Sequence, residues 1–461
     1  MRTHRLHSFR TVSSILVAST AIIAGHGIAA GQTGGDWTQY RHTHTNNTHV
    51  TSGLDQIYNG AIQTANEVRA TPVVADGKIF VGNHDSGELQ AFDLASGDLL
   101  WQEQAPNWVH SEMIYADGRI FVGFGNRFFD PTHPEGIRGT GESGVLSLDP
   151  DTGEQQWRFD TPGEVMPTPA VVGGAVYAVT GDRTLYKLDP TTGDELHTAD
   201  LGHVVSMSSP SEHDGVLFFG GGAPAPYTFF AYDTAEDEMA WEAEFPEFNR
   251  GLDDVPPAVD EGLVVTTANR ALFPGIAGPR ETHTIVAIDE QSGQERWRHD
   301  IGTGPAPTNN RSGAPTISDG VVYVGSPTMS AAYAYDLHTG DQLWRNPIGA
   351  IKGAPVIDGE DAYFSTTAGD VYRLDTRSGE ITGKLGLEGA LAPAGPTIVD
   401  DSLMVPSQSR NVYVTPLDEF PAASAPEAPA GSLGSSPDPL GSAETVAGSL
   451  GAETGSFDPA Y

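Results

Sequence analysis

The fold is decided by one stretch, Ala91-Phe92-Asp93-Leu94-Ala95-Ser96-Gly97-Asp98-Leu99-Leu100-Trp101, which predicts a strand, a turn and a return strand. The Asp93 carboxylate can accept hydrogen bonds from backbone N–H groups just downstream, and Gly97 supplies the positive φ that turns the chain back. Trp101 is a large apolar ring that a lone hairpin cannot bury. The hairpin therefore has to pack against neighbours of its own kind.

The same spacing of Asp, Gly and Trp returns along the chain. Intact copies are Asp149/Gly153/Trp157, Asp289/Gly293/Trp297 and Asp336/Gly340/Trp344, and decayed copies are Asp189/Gly193/His197, Asp233/Asp237/Trp241 and Asp375/Gly379/Gly383. We expect the tryptophans to pack one unit against the next, and these are Trp101, Trp157, Trp241, Trp297 and Trp344. A second hairpin, often with an Asp-Gly turn such as Asp76-Gly77, precedes each copy. Each unit is therefore predicted to hold four antiparallel strands, A to D in chain order.

Eight such units begin, but the last one stops near Val414 without its outer strand. The segment Gln56 to Gln63, which lies ahead of the first complete unit, can supply that strand and remove both exposed sheet edges. Stacked repeats share one continuous core, so 461 residues need only one domain. The prediction is an all-β, single eight-bladed β-propeller of four-stranded antiparallel blades, closed by an N-terminal strand, over residues 31–420.

The two ends of the chain differ from the repeats. Residues 1–30 carry three arginines, then an apolar run that ends in small residues, which predicts a secretory signal peptide; an uncleaved membrane anchor is the alternative. We therefore expect an exported protein, extracellular or at the cell surface. Residues 421–461 consist mostly of Pro, Ala, Gly, Ser and acidic residues, with no Lys or Arg, and predict a disordered acidic tail.

The charge of the chain limits its partners. Asp and Glu number 61 against 24 Lys and Arg, giving a formal net charge of −37, which disfavours binding to nucleic acid or to anionic membranes. Such an acidic, Lys-poor composition is typical of proteins from halophiles; an acidic secreted protein of ordinary salinity is the alternative. The chain has no cysteine, which excludes a disulfide framework, a thiolate metal site and a lipidated Cys anchor.

The repeat frame Ala-x-Asp-x-x-x-Gly-x-x-x-Trp, together with Asp36-Trp37-Thr38-Gln39-Tyr40-Arg41, resembles the PQQ-like β-propeller repeat family. The resemblance covers about residues 36–418. That family includes quinoprotein dehydrogenases, which hold PQQ and Ca²⁺ in the central channel, and BamB-type outer-membrane assembly factors, which hold partner proteins. The resemblance implies the fold far more strongly than it implies either chemistry.

Two blades are enlarged, by residues 125–143 in blade 2 and 268–283 in blade 5, both between strands B and C. In a four-stranded meander the B–C loops share one face of the disc with the D–A connections, and loops on a rigid scaffold often bind ligands. To this face the sequence assigns Trp108, His110, Asn126, Arg127, Arg138, Asn249, Arg250, Asn269, Arg270, Arg280, Asn310 and Arg311. Arginine suits capture of carboxylate or phosphate. We predict a face for a polar or anionic ligand; the alternative is that each Arg pairs with a nearby acid and holds its own loop.

The functional prediction is a non-catalytic, monomeric binding or scaffold module with no catalytic residue, no metal and no cofactor. Its ligand face would be formed by the inserted loops of blades 2 and 5, and its partner would be a protein or a polar ligand at the cell surface. The alternative implied by the resemblance is a PQQ- and calcium-dependent dehydrogenase oxidising an alcohol or sugar. His42, His44 and His49 form a His-rich run of the kind that binds transition metals, but alternation along a strand places at most two imidazoles on one face.

Overall fold

The computed structural model shows a ring of eight sheets, each built on four antiparallel strands, so the predicted all-β eight-bladed propeller is confirmed. In blade 8 the strands His49–Thr51 and Gln32–Thr33 join the same sheet in parallel. The structure describes residues 32–33, 35–131, 136–275, 278–309 and 312–423. The predicted signal peptide and nearly all of the predicted tail lie outside these residues, as do Asn310 and Arg311. Within the described residues, no helix is long and apolar enough to cross a membrane.

Short strands and tight turns build every blade. Strands A to D are Val73–Ala75, Lys78–Gly82, Glu88–Asp93 and Leu99–Gln104 in blade 1; Ile114–Ala116, Arg119–Phe124, Gly144–Leu148 and Gln155–Asp160 in blade 2; Ala170–Val172, Ala175–Val179, Thr184–Leu188 and Glu195–Asp200 in blade 3; and Ser211–His213, Val216–Gly221, Tyr227–Asp233 and Glu238–Phe245 in blade 4. They are Ala258–Asp260, Leu263–Gly275, Gly278–Asp289 and Glu295–Pro305 in blade 5; Pro315–Ser318, Val321–Ser326, Ala331–Asp336 and Gln342–Asn346 in blade 6; and Val356–Asp358, Asp361–Ser365, Asp370–Asp375 and Ile381–Gly386 in blade 7. Blade 8 has Thr397–Val399, Ser402–Ser407 and Asn411–Pro416, and the remaining elements are strands Gln32–Thr33, His49–Thr51 and Gly60–Gln63 and two short 3₁₀ helices, Leu252–Asp254 and Leu417–Glu419.

The ring closes as the sequence predicts. Strand Gly60–Gln63 pairs antiparallel with Asn411–Pro416, with Gly60 opposite Val414, and becomes the outer strand of blade 8. Ile62 is buried by this pairing, whereas its two neighbours on the strand are exposed. The closing strand thus completes both the hydrogen bonding and the apolar core of the last blade.

The repeated turn has the predicted geometry. In blade 1 the Asp93 Oδ1 atom accepts hydrogen bonds from the N–H groups of Ala95 (3.1 Å) and Ser96 (2.8 Å), and Gly97 has φ of +74°. In five other blades a hydroxyl of the turn (Thr152, Thr192, Ser292, Thr339 or Ser378) joins such backbone bonds, and together they lower the pKa of the corresponding aspartates, which are Asp149, Asp189, Asp289, Asp336 and Asp375. The turns are therefore fixed by local charge-assisted hydrogen bonds.

Each tryptophan of the repeat sits on the turn of the following blade. Trp101 Nε1 donates to Pro150 O (2.9 Å), and a Cβ added at Gly153 would lie 2.7 Å from the Trp101 ring. The same bond to the residue after the turn aspartate joins Trp157 to Pro190, Trp241 to Glu290, Trp297 to Leu337 and Trp344 to Thr376. The turn glycine therefore has a second function that the sequence did not reveal, because its missing side chain leaves room for the ring.

Three seams between blades lack the tryptophan and use other contacts. Between blades 3 and 4 the Lys187 Nζ atom pairs with both carboxylate oxygens of Asp237, at 2.7 and 2.8 Å. Between blades 8 and 1 the Tyr58 ring covers Gly97, and between blades 7 and 8 the Phe420 ring covers Gly383. Residues from both ends of the propeller thus replace the docking ring where the repeat has decayed.

A second N-terminal segment, residues 36–51, lines the inside of the ring, and we call it the inner strap. Going round the channel it bonds the innermost strand of blades 2 to 8 in turn, through Tyr115, Val171, Glu212, Val259, Ile317, Ile357 and Ile398. Arg41, at its centre, has no exposed surface and donates to Asn46 O (3.1 Å) and Pro396 O (2.8 Å). The strap closes the axis of the propeller, an arrangement that no sequence pattern predicted.

Candidate functional site

The channel ends in a pocket on the face that carries the B–C and D–A connections. It opens to solvent, its cavity measures about 50 Å³, and Tyr40 of the inner strap contributes to its lining. Every blade contributes at least one residue from the connection into its strand A, namely Arg69, His110, Thr168, Ser209, Asp254, Ser312, Lys352 and Pro393. Because short connections on rigid strands build it, this channel pocket is preformed.

Glu112 lies at the inner end of the channel pocket and is 1% exposed. Its Oε2 atom accepts hydrogen bonds from Trp37 Nε1 (3.2 Å) and from the backbone N–H of Arg41 (2.9 Å), both in the strap. Thr71, which lines the same pocket, adds a side-chain hydrogen bond to this carboxyl. Burial raises the pKa of the Glu112 carboxyl to about 7, although the Arg41 N–H and guanidinium act in the opposite direction. This carboxyl can therefore gain or lose a proton near neutral pH.

Two buried imidazoles pack together on the wall of blades 1 and 2, and one of them, His110, lines the same pocket as Glu112. The ring centroids of His84 and His110 are 4.7 Å apart, and His84 also contacts the Asp85 carboxylate. Burial is the main reason that the pKa of His84 falls to about 4 and that of His110 falls well below its usual value. Both rings are therefore neutral at pH 7. Trp108, predicted on this face, packs against His84 with ring centroids 5.0 Å apart.

The blade 2 insertion carries three of the predicted residues. Asn126 is buried and holds the insertion together, donating to Thr140 O (2.6 Å) and accepting from Thr140 N (3.1 Å). Arg138 contacts the buried Glu164 and donates to Ser206 O (3.3 Å), so it anchors the insertion to its neighbours. Arg127 instead donates to Asn309 Oδ1 (2.7 Å), in the connection into blade 6. Because blades 2 and 6 lie opposite each other in a ring of eight, this bond crosses the mouth of the channel.

The blade 5 insertion was expected to be a loop, and this expectation is wrong. Strands B and C simply continue as a long hairpin, Leu263–Gly275 and Gly278–Asp289, since their backbone groups pair with each other far beyond the blade. Five predicted residues hold this hairpin in place. Two of them join the hairpin to strand D: Arg270 pairs with Asp300 (3.6 Å), and Arg280 donates to Thr303 O (3.1 Å). Two come from the preceding connection: Asn249 accepts a hydrogen bond from Ala271 N (2.9 Å), and Arg250 forms a β-bridge with Asn269. The Asn269 amide in turn contacts Glu281.

The insertions also expose apolar side chains that the sequence reasoning missed. Phe128 and Phe129 are 49% and 41% exposed on the blade 2 insertion, and Leu272 is 39% exposed on the blade 5 hairpin. The Phe128 ring packs edge-on against Trp108 with centroids 5.4 Å apart, and the Arg127 guanidinium lies 5.8 Å from its centroid. Two adjacent phenylalanines inside an insertion were the signal that could have revealed this patch.

The histidines of the inner strap do not converge. His42 packs against Trp37 at 5.2 Å, His44 packs against His213 at 4.4 Å, and His49 contacts Ile357 O at 2.7 Å. Each therefore has its own partners at a different place around the channel. Among the residues that the structure describes, no three His, Asp or Glu side chains come together as metal ligands.

The calcium–quinone pair implied by the resemblance was tested against this donor set. Ca²⁺ requires six to eight oxygen ligands. The carboxylates of the channel pocket are Glu112 and Asp254, and one oxygen of Glu112 already accepts two hydrogen bonds from the strap. Asn126 uses its side chain inside the blade 2 insertion. The residues present in the pocket do not fit that pair.

Comparison with known proteins gives one family and several kinds of relative. A family model described as outer membrane protein assembly factor BamB matches residues 4–129, 136–223 and 276–384, more than half of the chain. Tetrathionate hydrolase of Acidithiobacillus ferrooxidans is 25% identical over 362 residues, which cover 72% of this chain and 70% of that protein. BamB of Burkholderia pseudomallei is 24% identical over 370 residues, covering 78% and 87%. The structure of a quinohaemoprotein alcohol dehydrogenase from Pseudomonas putida HK5 superimposes with a TM-score of 0.59 at 14% sequence identity. The match covers 81% of this chain and 76% of that chain, and it shows a shared fold.

Proposed function

Because the chain belongs to the PQQ-like propeller family of the outer membrane protein assembly factor BamB, we propose that it is an exported, non-catalytic binding module. Its partner contacts the face formed by the insertions of blades 2 and 5. One observation carries this proposal: Phe128, Phe129 and Leu272 are exposed on these insertions rather than buried in the blades. Exposed apolar side chains rimmed by polar groups are typical of protein interaction sites.

The charges near these side chains define the chemistry of the partner. Arg127 adjoins the two phenylalanines, and Arg270 lies 44% exposed close to Leu272 in the sequence of the blade 5 hairpin. In a chain with a net charge of −37 these are unusual positive points. A protein surface that combines apolar groups with carboxylates complements them. A relative named as an assembly factor supports a protein partner over a small molecule.

The proposal is tested by photo-crosslinking in the cells that make the protein. A crosslinking amino acid is placed at Phe128 and at Leu272, and at Leu196 as the control, because Leu196 is 53% exposed on the outer strand of blade 3. We expect the same partner to be captured from the first two positions and not from the third. Arg127→Glu should weaken this capture. Equal capture from all three positions, or none from any, would overturn the proposal.

A second candidate is hydrolysis of a small anionic substrate. The similarity to tetrathionate hydrolase favours it, and so does the channel pocket, where Glu112 can exchange a proton near neutral pH. Incubating the purified protein with tetrathionate and following product release tests this candidate directly. Turnover lost on Glu112→Gln would replace the non-catalytic proposal. A parallel titration with PQQ and Ca²⁺ tests the dehydrogenase alternative, for which the pocket lacks a fitting donor set.

A further inference from the structure

The outer strand of blade 1 begins with two exposed leucines. Leu99 is 51% exposed and Leu100 is 45% exposed, and they open the strand Leu99–Gln104. This strand pairs on one side with Glu88–Asp93, and among the described residues no strand pairs with its other side. An exposed apolar edge of this kind is a template on which a further strand can form.

This pair of leucines distinguishes blade 1 from the other repeats. The two residues before the position of the docking tryptophan are Gln155-Gln156 in blade 2, Glu195-Leu196 in blade 3, Met239-Ala240 in blade 4, Glu295-Arg296 in blade 5, Gln342-Leu343 in blade 6 and Ile381-Thr382 in blade 7. Blade 1 alone places two large aliphatic side chains there. The fold itself does not require them, since blade 2 forms the same strand with two glutamines.

The edge of blade 7 shows that an outer strand of this propeller accepts an added strand. Residues 421–423 run antiparallel along the outer strand of that blade. Two backbone hydrogen bonds hold them there, from Lys384 N to Pro421 O (3.1 Å) and from Ala423 N to Thr382 O (2.9 Å). The chain thus covers with its own residues an edge that the ring leaves open.

The matching groups of blade 1 have no such partner strand among the described residues. Trp101 stands where blade 7 has Gly383, so Leu100 O and Gln102 N correspond to the two backbone groups that hold residues 421–423. The Trp101 side chain points into the seam with blade 2, which leaves the edge of its strand accessible. A Cβ at Gly383 would lie 2.6 Å from the backbone of residues 421–423, so a strand on blade 1 must lie slightly farther out.

The charge of this edge limits what can bind there. Asp98 precedes the leucines, Glu103 lies on the same strand, and both are exposed. A second copy of the chain, with a net charge of −37, is repelled. Residues 421–461 contain no Lys or Arg, so they do not complement these acids either. The edge therefore suits a segment of another protein that carries basic residues.

We propose that the outer edge of blade 1 binds an extended segment of a partner protein, in which basic and apolar residues alternate, as a fifth strand of the blade. The backbone groups of Leu100 and Gln102 supply the hydrogen bonds, and the leucine side chains contact the apolar residues of the segment. Asp98 and Glu103 attract its basic residues. The edge lies on the rim of the disc, so it is separate from the insertion face and uses none of its residues.

Titration of the full chain with labelled peptides, followed by fluorescence polarisation at fixed salt, tests this edge. The probes are peptides of six residues, the length of the strand itself, that alternate Lys or Arg with Val, Leu or Thr. One matched set carries Glu in place of the basic residues. A second set carries N-methyl groups on the backbone, which prevent strand pairing.

The test variant is Leu99→Gln combined with Leu100→Gln, which gives blade 1 the pair of glutamines found in blade 2. The control is Leu343→Gln, which removes a leucine that is 50% exposed on the outer strand of blade 6. Far-UV circular dichroism and the melting temperature identify a double variant that has not folded, and Leu100→Gln alone then replaces it.

We expect saturable binding of at least one basic peptide, weakened about tenfold or more in the double variant and unchanged in Leu343→Gln, because the peptide buries two half-exposed leucines. The peptides with Glu or with N-methyl groups should not bind, and hydrogen exchange of the Gln102 amide should slow in the complex. No saturable binding, equal binding by the double variant, or slower exchange on the insertion face alone would overturn the inference. A dimer that the double variant abolishes would overturn it as well, since the edge would then belong to a second copy.

Discussion

Replacing Gly340 by alanine should destabilise the propeller because the Trp297 ring occupies the space of the new methyl group. A Cβ at Gly340 would lie 2.6 Å from Trp297 Cδ2, and the residue has φ of +72°. The positive φ costs an alanine about 1–2 kcal/mol. Forcing an extra methyl into a well-packed seam costs about 1–3 kcal/mol more. We expect the total loss in free energy of unfolding to be about 2–5 kcal/mol.

Gly320 in the same blade provides the matched control. Its φ is +70°, and the nearest atom to an added Cβ is Glu261 Oε1 at 3.8 Å. Gly320→Ala should therefore lose only the backbone contribution, about 1–2 kcal/mol. Urea unfolding followed by circular dichroism, at constant salt and with equal slopes, gives both values. In a background of Trp297→Leu the excess loss at Gly340 should shrink, because the clashing ring is gone. Equal losses for the two glycines in the wild-type background would refute the idea that the turn glycine accommodates the ring.

Three further outcomes follow from the seams and the strap. Lys187→Met should lower the free energy of unfolding by about 1 kcal/mol, because Lys187 and Asp237 form a partly exposed ion pair at a seam without tryptophan. Salt screens this pair, so the loss should be smaller in molar salt, and thermal melting in low and high salt measures the difference. Arg41→Met should cost about 3 kcal/mol or more in urea unfolding, since buried carbonyl groups such as Pro396 O would lose a charged donor. The pKa of Glu112 is raised in the folded state, so its contribution to stability is present below about pH 4.5 and is lost by about pH 7. Between those pH values the free energy of unfolding of the wild type should therefore fall by about 3 kcal/mol more than that of Glu112→Gln. Urea midpoints measured at several pH values would contradict this if they changed equally in the two proteins.

The architecture could be predicted from the sequence because local rules decide it. Each turn is specified by an aspartate that bonds the next N–H groups and by a glycine at positive φ, and both lie within one hairpin. Seven such hairpins and eight hairpins that begin a unit indicated eight blades, and the last blade, which lacked its outer strand, required Gly60–Gln63. None of these steps needed contacts between distant parts of the chain.

The remaining features depend on distant contacts and leave little trace in the sequence. The inner strap bonds blades 2 to 8 in turn and forms a strand only at His49–Thr51, so most of its residues follow neither strand nor helix periodicity. Tyr58 and Phe420 replace the docking tryptophan at seams that only the ring brings together. Most of the predicted arginines that the structure describes contact their own or a neighbouring connection. The lining of the channel pocket includes instead Arg69, Lys352 and Glu112, which come from connections that look ordinary in the sequence.

The inner strap also fixes the order in which the molecule can be assembled. Arg41 bonds a carbonyl 355 residues later in the chain, and the closing strand pairs with residues near 411–416. Contacts so far apart in sequence form slowly, since a long loop must be closed before they contribute. While the chain is being made, the strap can bond blades 2 to 7 as they form, but its contacts with blade 8 and the whole closing strand must wait for the last blade. We expect folding to end with a single late step that encircles the strap and joins the two ends, and a protease or chaperone that meets the protein before that step would encounter its N-terminal segment first.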